Sequence, residues 1–521
     1  MQTGGLFIMR KSENKQYRIR KIRINNQHDL YEYCDTITLL SNNLYNAVRF
    51  RQRQVLTAVK KEADKRTENE KEVLGEVSRT VRYLNGLPPK PPTEKNPNPQ
   101  KKIYSLPDEN HFFLSYEFLN HLLYYTQNPD YHAKGLPKQS AQYTIKQCVR
   151  DMKSFFAAVR KYKENPDIFT GQPRLPGYHK KGGHTMVIFT NQDAVLYSID
   201  KGYEVKLPLT KKRVPIGFLP EGMKLKEVRI LPDNGTYLLS LTLECPNLKI
   251  EVKKDTSTRI IAIDFGVRNL MAVTNNCGLP CLLYQGGILK SANQLYNKKI
   301  AKIVSQQTLK TKEKFVPNDE FYKVTIKRND QVSDFMHKVA KHLVLWCVEH
   351  RIDTIVLGEN TLWKQESNLG KRNNQNFVEI PYQMLKNIMK YLASEKGIHC
   401  VSQEESYTSK ASFLDQDFIP VYKKGENKTY TFSGKRGVKG CQGLYQTKEG
   451  WILNADLNGS ANILRKAFPH AFDEYPMPSF SIVNIMIHPD YEKVNELKRK
   501  QQNTYVVSHA KSKRLNRKNV A

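Results

Sequence analysis

Three acidic residues set the chemistry that this sequence could do: Asp264, Glu359 and Asp456. Asp264 follows the short β-branched run 260–263, with Gly266 marking a turn and a second apolar run at 270–273, so the stretch predicts a hairpin with an acid at its mouth. Glu359 closes the apolar run 354–357, and Asp456 stands where the strand candidate 451–453 gives way to a helix. Each acid alone has an ordinary structural role. Asp264 suits a turn, Glu359 can pair with Lys364, and Asp456 can cap its helix. Together, three carboxylates at element ends supply the hard oxygen ligands that Mg²⁺ requires, with open positions for water and phosphate oxygens. Two such ions about 3.5 to 4 Å apart can activate a water and stabilise a leaving alkoxide, so phosphodiester hydrolysis would need no protein nucleophile.

The elements that must position these acids are legible from periodicity. Residues 17–24 alternate apolar and basic side chains, which predicts a half-buried strand with a basic face. From 28 to 80 the spacing turns helical, and the proline-dense segment 87–99 breaks it. Two further helices are expected at 110–126 and 139–163, followed by short strands at 187–189, 205–207, 228–230 and 237–244, the last two joined by the turn Pro232-Asp233-Asn234-Gly235. A small antiparallel β domain thus takes strands from both sides of a helical insertion. Beyond the acidic hairpin, helices are expected at 289–314, 332–350 and 380–396, strands at 354–357 and 398–402, an irregular stretch at 404–450, and a basic, disordered tail.

Bulk composition narrows the partners. The chain has 521 residues, enough for roughly three or four domains. Its 83 Lys and Arg against 51 Asp and Glu give a net charge of +32, and nucleic acid is the polyanion that such an excess fits, because phosphate contacts release condensed counterions. Neither a lipidation signal nor a spanning apolar run is present, which predicts a cytoplasmic protein without a membrane role. Eight cysteines are scattered; Cys277 and Cys281 form a close pair with no second pair, so neither disulfides nor zinc are expected.

Three segments carry a resemblance. IAIDFGVRNLMAVTNN, DTIVLGENTLWKQ and NADLNGSANILRKAF are similar to the three motifs of the RuvC-like domain in TnpB, the transposon-encoded RNA-guided nucleases, and in the type V CRISPR (Cas12-like) effectors. HKVAKHLV and SQEESYTSKASFLD add to the likeness, which is clear over about residues 225 to 470. The resemblance implies a multidomain α/β and α+β chain. It would comprise a wedge-like antiparallel β-barrel (1–27 and 184–255), a helical recognition lobe (28–183), an RNase H-like RuvC nuclease domain (256–403 and 451–480), a target-strand-binding insertion (404–450) and a basic disordered tail (481–521). It further implies Asp264, Glu359 and Asp456 as catalytic ligands of two Mg²⁺ ions, with Mn²⁺ as a substitute. The implied partners are a noncoding guide RNA of the omega-RNA or crRNA/tracrRNA type, double-stranded target DNA and its displaced single strand, handled by a monomer or an RNA-mediated dimer. Many relatives hold zinc between the second and third motifs; here that region offers only Cys441, so the insertion is expected to be zinc-free and held by packing of Phe413, Leu414, Phe418 and Tyr445.

The function expected is an RNA-guided DNA endonuclease. A guided repressor without cleavage is the alternative, disfavoured because all three acids are kept, and an RNase H-fold transposase is another, for which the acid order Asp, Asp, Glu would be expected. On the first expected helix, Tyr45, Asn46, Arg49 and Gln52 are candidates for reading the adjacent DNA motif, and Arg268 and Lys364 for phosphate contact near the acids.

Overall fold

The computed structural model describes residues 17–89, 91–94, 97–245, 259–311, 313–359, 380–422, 429–438, 440–474, 481–487, 504–505 and 508–509. The chain divides into two compact units, 1–248 and 249–521. Among the described residues no helix is long and apolar enough to cross a membrane.

The first unit joins helices to two antiparallel sheets. Strands β1 (Tyr17–Ile24), β2 (Val187–Thr190), β6 (Lys224–Asp233) and β7 (Thr236–Glu244) form a sheet in the order β1-β7-β6-β2, while β3 (Val195–Ile199), β4 (Gly202–Lys206) and β5 (Arg213–Gly217) form another. The β6–β7 turn has Asn234 at φ 49° and Gly235 at φ 73°, the left-handed pair that a two-residue hairpin demands. Between β1 and β2 lie α1 (Tyr31–Ala58), α2 (Glu68–Gly86), α3 (Tyr116–Tyr125) and α4 (Lys138–Glu164). Helix α2 starts on a reciprocal capping box, with Thr67 accepting from the Glu70 N–H and Glu70 accepting from the Thr67 N–H. Strand β1 differs from the expected half-buried pattern. It pairs with β7 along its whole length, but its first five residues are exposed and Ile24 alone is buried.

In the second unit, β8 (Ile260–Phe265), β9 (Asn269–Asn275) and β10 (Cys281–Gln285) run antiparallel in sequence order, followed by α5 (Gly287–Thr311) and α6 (Asp319–Glu349). Strand β11 (Thr354–Glu359) then pairs parallel to β8, and after α7 (Tyr382–Glu395) strand β12 (His399–Glu404) pairs parallel to β11. A smaller sheet holds β13 (Lys435–Val438), β14 (Cys441–Gln446) and β15 (Trp451–Asn454), and β15 leads into α8 (Ala455–Ala467). Strand β16 (Ile482–Ile485) adds parallel to β10, and the two-residue strands β17 (Thr504–Tyr505) and β18 (Ser508–His509) pair with β16 and β15. The large sheet therefore reads β12-β11-β8-β9-β10-β16-β17.

The two faces of that sheet bury different helices. Ile261, Ile263, Ile355 and Leu357 pack with Phe335, Val339 and Leu343 of α6 and Leu385 and Met389 of α7. Ile260, Ala262 and Val356 pack instead with Ala461, Ile463 and Leu464 of α8. Two expectations fail here. A disordered tail from 481 is contradicted by β16, whose short apolar run finds a partner edge in β10. Of the four residues expected to hold the insertion, Phe413 and Tyr445 are buried, but Phe418 is 78% exposed because its segment turns outward to solvent.

Candidate active site

Alternation along β8 decides where Asp264 points. Its neighbours Ile263 and Phe265 face α6 and α7, so Asp264 faces α8. That helix is held close by buried polar side chains. Ser460 Oγ donates to the Ala262 carbonyl at 2.8 Å and accepts from the Thr274 N–H at 3.2 Å. Asn458 and Asn462 each donate to the Ala411 carbonyl, at 2.8 and 2.7 Å, which ties α8 to the loop after β12. The approach is so close that a Cβ on Gly459 would lie 2.7 Å from Asp264 Oδ2, and only glycine leaves the carboxylate its place.

Asp456 is not the helix cap. Asn454 takes that role, its side-chain oxygen accepting from the N–H groups of Asp456 and Leu457 at 2.9 and 3.2 Å. The Asp456 carboxylate is thereby left to other groups: Oδ2 accepts from Asn269 Nδ2 at 2.9 Å, and Oδ1 pairs with Arg436 Nη2 at 2.8 Å.

Glu359 stands elsewhere. On β11, Leu357 faces α6 and α7, so Glu359 does too, while Gly358 shares the face of Asp264. Glu359 Oε1 accepts from Ser402 Oγ at 2.6 Å and lies 3.5 Å from Lys390 Nζ of α7. The Ser402 hydrogen bond, with Lys390 and Lys386 beside it, holds this carboxyl below its usual range.

The acid that comes to Asp264 instead is Glu405. It follows β12 directly, its N–H donating to the Glu359 carbonyl at 3.2 Å, and its carboxylate fills the room that Gly358 leaves: a Cβ there would stand 2.6 Å from Glu405 Oε2. Burial first, then the charges of Glu405 and Asp456, push the Asp264 carboxyl well above the ordinary range, with Arg436 opposing. Lys386 of α7 lies in the same field. Its Nζ donates to the Gly358 carbonyl and sits 4.8 Å from the Phe265 ring centroid, and burial lowers its pKa while Glu405, Glu359 and Asp264 raise it.

Of the expected trio the structure thus brings Asp264 and Asp456 near each other and puts Glu359 on the opposite side of the sheet. Sequence reasoning missed Glu405, Asn269, Lys386 and Arg436; the doublet Glu404-Glu405, directly after a strand, is the signal that could have raised the first of them. Arg268 lies on the β8–β9 turn, with Nη1 3.6 Å from where a Cβ of Gly443 would be, beside the hairpin that carries Arg436. Lys364 falls outside the described residues.

The candidates on α1 need correction. Tyr45, Arg49 and Gln52 are buried, because steps of four and three residues keep them on the inner stripe that packs on α4. Tyr45 donates to Asp151 Oδ2 at 2.7 Å, and Arg49 donates to Tyr45 and Gln52 at 2.7 and 2.9 Å. Asn46 exchanges hydrogen bonds with the His179 backbone. These side chains hold helices and loops together, which leaves them no free edge for a base.

Residues 244–364, spanning the Asp264 hairpin and β11, match the model of the OrfB_IS605 family, described as a probable transposase. A curated relative, TnpB-like protein ORF457 of Acidianus two-tailed virus, is 25% identical over 239 residues, which is 45% of this chain and 48% of that protein. Over these stretches the chain is similar to TnpB-like proteins. It spans about half the length of that relative. Among solved structures, it is similar to the Cas12f1–sgRNA–target DNA complex, with 12% identity, a TM-score of 0.40, and coverage of 87% of this chain and 99% of that one. It is also similar to Alicyclobacillus acidoterrestris C2c1 in complex with single-guide RNA, with 8% identity, a TM-score of 0.31, and coverage of 82% and 69%.

Proposed function

We propose that the chain is an RNA-guided DNA endonuclease that binds a noncoding guide RNA, recognises a short adjacent DNA motif, pairs guide with target, and hydrolyses DNA at Asp264, Asp456 and Glu405. The observation that carries this reading is the crowding of like charge on Asp264 by Glu405 and Asp456, at the strand ends of a sheet and the start of a helix. Carboxylates are costly to crowd without a cation to share. An RNase H-like reading of the nuclease domain is supported by the order of the first five strands, three antiparallel neighbours in sequence followed by β11 parallel beside β8 and β12 parallel beside β11. The TnpB likeness supports the guide RNA and the DNA target as partners, and the two sheets of the first unit are compatible with a wedge-like barrel.

The donor chemistry of three carboxylates fits a hard divalent ion, although among the described residues no three such side chains are already close enough together to hold one. Asp264, Asp456 and Glu405 would hold Mg²⁺ or Mn²⁺, which would supply an activated water and charge for the leaving oxygen. The protein's own groups prepare that place. Asn269 fixes the Asp456 carboxylate, Gly358 and Gly459 make room for Glu405 and Asp264, and Arg436 and Arg268 bring positive charge to the rim, where a phosphate would approach.

Sequencing the RNA that copurifies with the chain, then assaying Mg²⁺-dependent cleavage of a matching target, tests the reading. Asp264→Ala, Asp456→Ala and Glu405→Ala should each abolish cleavage while guided binding persists, whereas Glu359→Ala should retain activity within about tenfold, the scale of a supporting contact. Loss of cleavage in Glu359→Ala with activity kept in Glu405→Ala would return the third position to Glu359. A family described as a probable transposase also calls for a strand-joining assay on the same DNA, in which no joined product is expected.

A further inference from the structure

The first unit has a basic, aromatic groove that the nuclease reading does not use. Along α4, Lys153, Phe156, Ala157, Arg160 and Lys163 recur at three- and four-residue steps and so form one stripe. Facing it are Phe112 and Phe113, with ring centroids 5.6 and 6.3 Å from that of Phe156. The space between is about 590 Å³, and its lining has three basic side chains and no carboxylate. Lys153 Nζ stands 5.9 Å from the Phe113 ring centroid, and Phe113 is 38% exposed. Beneath the rings lies a second cavity of about 10 Å³, lined by Gln52 together with Phe112, Phe113 and Phe156. Gln52 Oε1 accepts from Arg49, which fixes the amide, and Gln52 Nε2 is buried without a hydrogen-bond partner.

We propose that this groove is a binding site for single-stranded DNA, with bases stacked on Phe113 and Phe156 and phosphates held by Lys153, Arg160 and Lys163. One exposed phenylalanine, Phe113, and one half-buried, Phe156, beside unneutralised cations are the combination that takes an unpaired strand, since every base has a face to stack and every link a negative charge. A duplex hides those faces and cannot use the rings. The lining offers no hydroxyl, amide or carboxylate side chain at the rim to meet a ribose 2′-hydroxyl, so RNA would bury that group unpaired and DNA would not.

The site goes beyond the acids of the second unit, and its test is independent of cleavage. The full chain as purified is mixed with a fluorescent thymidine dodecamer, a uridine dodecamer or a duplex. The thymidine strand should bind most tightly. Phe113→Ala should weaken it by about 5- to 100-fold, the scale of one lost base–aromatic stack, and Phe113→Trp should restore it. Arg160→Gln should flatten the salt dependence by about one unit of slope at unchanged melting temperature. A strand carrying 5-iododeoxyuridine should photocrosslink to the peptide bearing Phe113 or Phe156. Wild-type affinity in Phe113→Ala and Arg160→Gln, crosslinks confined to other peptides, or tighter binding of the uridine strand or the duplex would each overturn the proposal. Crosslinks that appear only after ribonuclease treatment would make RNA the occupant and overturn it equally. Cleavage by these variants is measured alongside, so that failure of the groove leaves the nuclease reading standing.

Discussion

The Arg49 network and the Asp264 site are both made of buried charge, and they solve it in opposite ways. Arg49 is fully buried, yet Tyr45, Gln52 and Asp151 answer its guanidinium, and Asp151 supplies the opposite sign. Asp264 is met by more of its own sign, from Glu405 and Asp456, with Arg436 as a counterion shared with Asp456. A charge-balanced network of that first kind fixes how two helices meet. An excess of one sign is costly in stability, and it is where the proposed cation would bind.

Neutralising one charge in each region tests that contrast. Asp264→Asn should lower cleavage to background and at the same time raise the melting temperature of its unit by roughly 2 to 4 °C, the shift expected for about 1 kcal/mol in a domain of this size. The sign follows from the raised pKa. Above the unfolded carboxyl value the native state holds the proton more tightly, so stability falls as pH rises through the window between the two values, and the Asn variant should lose that slope in pH-dependent melting. A melting temperature below wild type would erase the contrast. In the other region, Arg49→Ala should destabilise by about 3 kcal/mol, near the low end for a broken buried pair because Asp151 is partly exposed, as read by denaturant midpoint. Gly459→Ala is a finer probe, since its new Cβ would drive Asp264 Oδ2 from its place: cleavage should fall about 100-fold, the cost of a misplacement on the order of 1 Å, while the melting temperature moves little.

What the sequence could convey follows from the same two regions. The Asp264 hairpin was legible because a β-branched run and a second apolar run flank a glycine turn, and α8 because apolar residues recur at helical spacing after Asn454. The phase of β11 was not legible. Thr354 to Leu357 are all buried, so no alternation tells which of Gly358 and Glu359 turns toward α8, and the acid nearest the strand end was read as the neighbour of Asp264, where the fold places Glu405. On α1 the error had another origin. Tyr45, Arg49 and Gln52 are polar, and polar side chains on a basic helix read as surface, although their spacing matches that of Leu44, Val48 and Val55 on the inner stripe. A helix stripe reports position, and residue type alone misleads when polar groups satisfy one another inside.

The pairing of β1 with β7 has a consequence for how the first unit is made. Arg23 meets Asp233 across 210 residues, so the opening strand has no edge to join until the last hairpin of its unit has left the ribosome. At roughly 5 to 20 residues per second that is a wait of about 10 to 40 seconds. During that interval β1, a run of tyrosine, isoleucine, arginine and lysine, has no sheet partner, and its positive charges disfavour pairing with the edge of another chain.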